Sequence, residues 1–190
     1  IRGNVTARFN TFSAVNTDGY IQDATGGINV FQFGVHSVAP NLGDDVRISG
    51  ALDQFNGKLE ISPASACDTM IVEVDGPGAV PTPLLVNTTT LNDETAFELG
   101  NSPPLEGLLI RMQYPEVNAL AGSTIPAGVN TSYQITNSYP DTSLLFIDVD
   151  KGEYAGGLEL EFQGTIALKA IGVLNTKMPD GSDGFSLLII

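Results

Sequence analysis

Between Gly19 and Phe33 the chain reads GYIQDATGGINVFQF, two runs of alternating apolar and polar residues, Tyr20–Ala24 and Ile28–Phe33, separated by Thr25-Gly26-Gly27. Such alternation places every second side chain on one face of a strand, and a glycine pair supplies the positive φ that a tight reversal needs. The pattern predicts a β-hairpin. The residues before it supply the strand that enters the hairpin, and those after it, to about Val74, supply strands that close around it.

The same alternation recurs on both sides. IRGNVTARF sets Val5, Ala7 and Phe9 against Asn4, Thr6 and Arg8 and reads as a first strand, followed by a polar loop that carries Phe12. Asp45–Leu52 places Val46, Ile48, Gly50 and Leu52 on one face, Asn56-Gly57 is a strong hairpin signal, and Leu59–Ile61 and Met70–Val74 add two more runs. GPGAVPTP, residues 76–83, holds two glycines and three prolines and suits neither a sheet interior nor a helix, so it marks a boundary. Leu91–Leu99 reads as a short helix, with Asn92 as N-cap, Asp93 and Glu94 in the first turn and Gly100 as the stop. From Leu105 the pattern restarts: LEGLLIRMQYPEV stands where IRGNVTARF stood, with Gly107 matching Gly3, and TIALKAIGV parallels Val46–Leu52. The expectation is an all-β chain of two five-stranded barrels, residues 1–75 and 105–190, joined by a Pro/Gly linker with one short helix over 76–104.

Charge narrows the partners. The 190 residues hold 8 Lys and Arg against 22 Asp and Glu, a net charge of −14. Non-specific nucleic-acid binding rests on basic side chains displacing counterions, so this balance disfavours direct contact with DNA or RNA. A single cysteine, Cys67, excludes an internal disulfide and a CxxC site. No apolar run is long enough for a membrane helix. The chain opens on Ile1 rather than Met and ends on Leu187-Leu188-Ile189-Ile190, which fits a piece of a longer protein.

Catalytic chemistry finds little support. His36 is the only histidine, and neither GxSxG nor HExxH occurs. Asp148, Asp150 and Glu153 put carboxylates in one turn, but Lys151 and Gly152 break the EF-hand spacing, and the few oxygens fall short of the six to eight that calcium takes. The expected reading there is a solvated turn, with no cofactor required.

The pieces GNVTA (3–7), YIQD (20–23), GGI (26–28), GDDV (43–46), Gly50 and FNG (55–57) resemble the OB-fold domains found in tandem in secreted bacterial proteins. The resemblance covers residues 1–75, with a fainter match at LEGLL, residues 105–109. It implies an exported, non-catalytic accessory module lying ahead of a nuclease- or phosphatase-type hydrolase domain, with the neighbouring domains of the same parent chain as partners. Independently, a five-stranded Greek-key barrel presents ligands with its second and third strands and their flanking loops. Here that face would carry either Tyr20, Gln22, Asn29 and Phe31 or their neighbours Ile21, Ile28 and Val30, a choice that register alone decides. Phe12 and Phe55 would sit at the loop tips. An acidic, Asn- and Thr-rich surface also suits a neutral carbohydrate ligand, and a ligand-free spacer is the third reading.

Overall fold

The computed structural model describes the backbone of residues 1–10, 12–55, 58–91, 105–112, 116–118, 124–125, 131–138, 141–147, 158–159, 170–177 and 183–189, and the side chains of 1–10, 12–55, 58–90 and 105–110. The described chain is all-β apart from one helical turn. Seven strands, β1 (Arg2–Ala7), β2 (Thr17–Gln22), β3 (Gly27–Gln32), β4 (Asp45–Ser49), β5 (Ala51–Phe55), β6 (Lys58–Ser62) and β7 (Ile71–Gly76), form the first sheet in the order β5-β6-β3-β2-β1-β4-β7.

The hairpin forms as the alternation predicts, with β2 antiparallel to β3. Its turn works differently from the expectation. Neither Gly26 nor Gly27 has positive φ. Instead the Asp23 carboxylate accepts hydrogen bonds from Thr25 N (2.7 Å), Thr25 Oγ1 (2.6 Å) and Gly26 N (3.2 Å), so an aspartate folds the reversal. The Thr25 contacts hold the Asp23 carboxyl below the usual range against the opposing effect of burial.

The expected continuous strand Asp45–Leu52 is broken at Gly50, which separates β4 from β5. In a flat sheet of this order those two strands would lie five spacings apart, about 24 Å. One intervening residue spans only about 7 Å. The sheet therefore curls until β4 and β5 meet at Gly50, where a Cβ would sit 2.5 Å from the Ser62 carbonyl oxygen. No ladder joins β5 to β7, the strands at the two ends of the order; the chain itself makes the turn. Within the curl lies a core of Val5, Phe9, Ile21, Val30, Val46, Ile48, Ile61, Met70 and Val72. The single His36 ties a loop to this core. Val38 N donates to its Nδ1 (3.0 Å), which leaves Nε2–H to donate to the Met70 carbonyl (3.0 Å).

Beyond β7 come β8 (Leu84–Val86) and α1 (Thr88–Leu91). The helical turn starts earlier than the predicted helix over 91–99, because the Asn87 side chain caps it by accepting from Thr90 N at 2.8 Å. Residues 92–100, including the expected cap Asn92, lie outside the described residues. A second seven-stranded sheet contains β8, β9 (Leu109–Met112), β10 (Glu116–Asn118), β12 (Thr131–Ser138), β13 (Asp141–Ile147), β15 (Ala170–Lys177) and β16 (Asp183–Ile189). Its order is β10-β12-β13-β16-β15-β9-β8. The short strands β11 (Thr124–Ile125) and β14 (Leu158–Glu159) pair separately. Each large sheet thus has seven strands rather than five, and β8 comes from the stretch read as linker. Among the described residues no helix is long and apolar enough to cross a membrane.

Candidate ligand face on β2, β3 and β6

Register settles which hairpin residues face the core. Ile21 pairs with Ile28 and Gly19 with Val30, and Ile21 and Val30 belong to the core. Tyr20, Gln22, Asn29 and Phe31 therefore occupy the opposite face, Tyr20 across from Asn29. Parallel pairing of β3 with β6 sets Glu60 beside Asn29, and the β5–β6 hairpin sets Asp53 opposite Glu60 and Phe55 opposite Lys58. One continuous outer face thus carries Asp18, Tyr20, Gln22, Asn29, Phe31, Asp53, Phe55, Lys58 and Glu60.

Part of that face is covered by the chain itself. Gln22 Oε1 accepts from Leu109 N (2.8 Å), and the Glu106 carboxylate accepts from Leu59 N (2.8 Å). Gly27 lies against Gly107 so closely that a Cβ on Gly27 would collide with the Gly107 carbonyl. Gly107 also has φ +73°, which glycine alone adopts freely. The pair acts as a backbone-to-backbone dock. Leu105, Leu108, Leu109 and Ile110 are buried there.

In the middle of the face lies a polar cluster. Asn29 is fully buried; its Nδ2 donates to Asp18 Oδ1 and the Gly19 carbonyl (both 2.9 Å), and its Oδ1 accepts from Lys58 Nζ (2.8 Å). The Lys58 ammonium also lies 3.5 Å from Glu60 Oε2 and 5.9 Å from the Phe31 ring centre. Lys58 keeps only 14% of its side chain exposed and Glu60 6%. Burial pushes the Glu60 carboxyl up, and the Lys58 charge only partly offsets this. Burial also drives the Tyr20 phenol well above its ordinary value, helped by the negative charges of Asp18, Glu106 and Glu60.

The aromatic residues divide between cover and surface. Phe12 is not at an exposed loop tip: it is buried, edge-on to Tyr20 at 5.7 Å. Tyr20 is buried as well, so these two pack against each other and offer no platform for a ligand. Phe31 is half-buried and meets Phe33 edge-to-face at 5.2 Å. Among the described residues, Phe33, 81% exposed, and Phe55, 62% exposed, are the solvent-facing rings. Phe33, the last residue of the alternating run, shares its parity with Phe31, and that alternation is the signal that could have found it. Parallel pairing of Asn29 with Glu60 puts Lys58 and its partner Phe55 at the Gly27 level, so Phe31 and Phe33 alone make an aromatic ledge at the uncovered end of the face, with the Lys58 ammonium reaching toward Phe31.

The other expected chemistry lies elsewhere. Asp148, Asp150 and Glu153 are outside the described residues. Among the described residues no three His, Cys, Asp or Glu gather around a metal-sized site. Cys67 is an exposed free thiol. Arg2 and Arg47 are held on the opposite flank by Asp45, Asp75 and Glu73, with contacts of 2.5 to 3.5 Å among them.

No curated protein matches the chain significantly. Among solved structures, the crystal structure of the Ifi202 HINa domain in complex with 20-bp dsDNA is similar at 15% identity, with 78% of this chain and 73% of that one covered and a TM-score of 0.36. A likeness that loose carries no argument about fold or ligand. Residues 94–190, just over half of the 190, match a family of unknown function, DUF6603. The chain belongs to the DUF6603 family.

Proposed function

We propose that this chain is a non-catalytic binding module built from two OB-like barrels, with the Phe31–Phe33 ledge at the uncovered end of the outer face as its binding surface. The barrel reading is supported by pairing. In the first sheet β3 runs parallel to β6 while β6 pairs antiparallel with β5. In the second, β13 runs parallel to β16 while β16 pairs antiparallel with β15. An antiparallel meander, a parallel closing pair and a return strand to the first are the connections of a five-stranded Greek-key barrel.

One observation carries the ligand reading: the Phe33 ring stands in solvent edge-to-face with half-buried Phe31 on the face away from the core. Exposed rings grouped on a sheet face mark an interaction surface more often than isolated apolar residues do. NMR titration of the isotopically labelled chain with soluble oligosaccharides, oligo-dT at low salt and short peptides tests it. Saturable shifts centred on Phe31 and Phe33 with any one probe uphold the reading. Silence from all three leaves a spacer. The exported setting and a hydrolase neighbour rest on the resemblance of residues 3–57 to tandem domains of secreted proteins. The parent gene tests that part: a signal peptide and a hydrolase domain are expected, and a lack of both ends it.

A further inference from the structure

We infer that residues 76–83, which the sequence presents as a linker, form a clamp that makes the two large sheets move as one rigid body. The first observation lies at Gly78. A Cβ there would collide with Asn4 Nδ2 and stand 2.7 Å from the Gly43 carbonyl oxygen, the atom to which Asn4 Nδ2 donates at 3.1 Å. Gly43 is the counterpart: its φ is +86°, and a Cβ on it would stand 3.1 Å from Val80 N. The Gly43 loop is itself fixed to β1, because Gly43 N donates to the Val5 carbonyl (2.8 Å) and Val5 N to the Asp44 carbonyl (3.0 Å). Backbone thus rests on backbone around Gly43 and Gly78, as it does at Gly27 and Gly107.

The two docks are aligned. Asn4 pairs with Gln22 and Gln22 with Gly27, so the three share one cross-strand row about 10 Å long. That row meets Gly78 at Asn4, Leu109 N at Gln22 and Gly107 at Gly27. Both docks stand just ahead of neighbouring strands of the second sheet, since β8 runs parallel to β9 with Leu84 beside Ile110. Only Pro81, Thr82 and Pro83 separate Val80 from β8, and the two prolines fix φ in that span. Domains joined by a single covalent link swing by default. A sheet held at the start of two adjacent strands has no such pivot. The second sheet is therefore presented at a fixed angle to the first, whatever the Phe31–Phe33 ledge binds.

Nitrogen-15 NMR relaxation on the full chain reads the rotational correlation time of each sheet. In the parent protein, amides of β1–β7 and those of β8, β9, β13, β15 and β16 should report one common value, that of a 190-residue body. Gly78→Val, at an exposed position, drives the clamp off Asn4 and Gly43, and circular dichroism checks that the strands survive. The values for the two sheets should then separate, each falling toward that of a body half the size. Thr82→Gly loosens the same stretch without entering the Asn4–Gly43 contact and should keep the common value. Two distinct values in the parent, a common value that survives Gly78→Val, or separation with Thr82→Gly overturns the inference. Should Gly78→Val fail to fold, limited proteolysis of the parent by elastase decides. A clamped Ala79–Val80 segment is cut only as the whole chain unfolds, and ready cleavage there in the native protein overturns the inference.

Discussion

The two ends of one sheet face have opposite fates. At the Gln22 and Gly27 end, the outer face of β2, β3 and β6 is sealed by residues 105–110 through two side chain–backbone hydrogen bonds and a glycine–glycine approach. At the Phe31 end, equally apolar side chains are left in water. The contrast separates two uses of an aromatic residue. Tyr20 and Phe12 serve packing, buried edge-to-face against each other; Phe33, beyond the Phe31 end of β3, stands in water. Between the ends, Lys58, Asn29 and Glu60 form a buried polar divide in which each member satisfies another.

The largest way to break this contrast is Gly27→Val. A side chain there meets the Gly107 backbone, which cannot rotate away, and the expected loss is about 4 kcal/mol by urea unfolding. An unchanged midpoint would show that residues 105–110 do not rest on this face. Next comes Lys58→Met, which keeps the volume but strands the Glu60 carboxylate and the Asn29 oxygen; about 3 kcal/mol should be lost at neutral pH.

A pH series sharpens that prediction. Glu60's pKa is raised in the folded state, so its ionisation opposes folding. The cost is absent below the unfolded-state value of about 4.3 and grows until the raised folded value is passed. Glu60→Gln should therefore gain stability relative to the parent as pH rises through that window; a flat difference would place Glu60 in solvent. Gln22→Ala, which removes the acceptor for Leu109 N, should cost about 1.5 kcal/mol. Smallest of all, Phe33→Ala should change stability by less than about 0.5 kcal/mol, since the ring is already in water.

Much of the first sheet was legible because alternation is a local signal. The strands around Val5, Tyr20, Ile28, Val46 and Ile61 lie where the pattern put them. The alternation also isolated Tyr20, Gln22, Asn29 and Phe31 as one set, but only the pairing of Tyr20 with Asn29 shows that the set faces away from the core. What pattern could not show was long-range cover. Gly27 reads as a turn residue and Gly107 as an echo of Gly3, yet each is glycine where the other's backbone presses against it. Phe12 reads as a loop tip because its edge-to-face contact with Tyr20 leaves no mark in the alternation. Gly50 reads as one more inward position, whereas the curl of the sheet turns on it.

The account depends on residues 105–110 lying against β2, β3 and β6, and amide hydrogen exchange at Leu59 and Leu109 tests this most directly. Both amides donate to side chains across that junction. They should exchange only as the whole chain unfolds, and Gln22→Ala should speed Leu109 while leaving Leu59 slow. Exchange of both at the rate of an open loop in the parent protein would contradict the account.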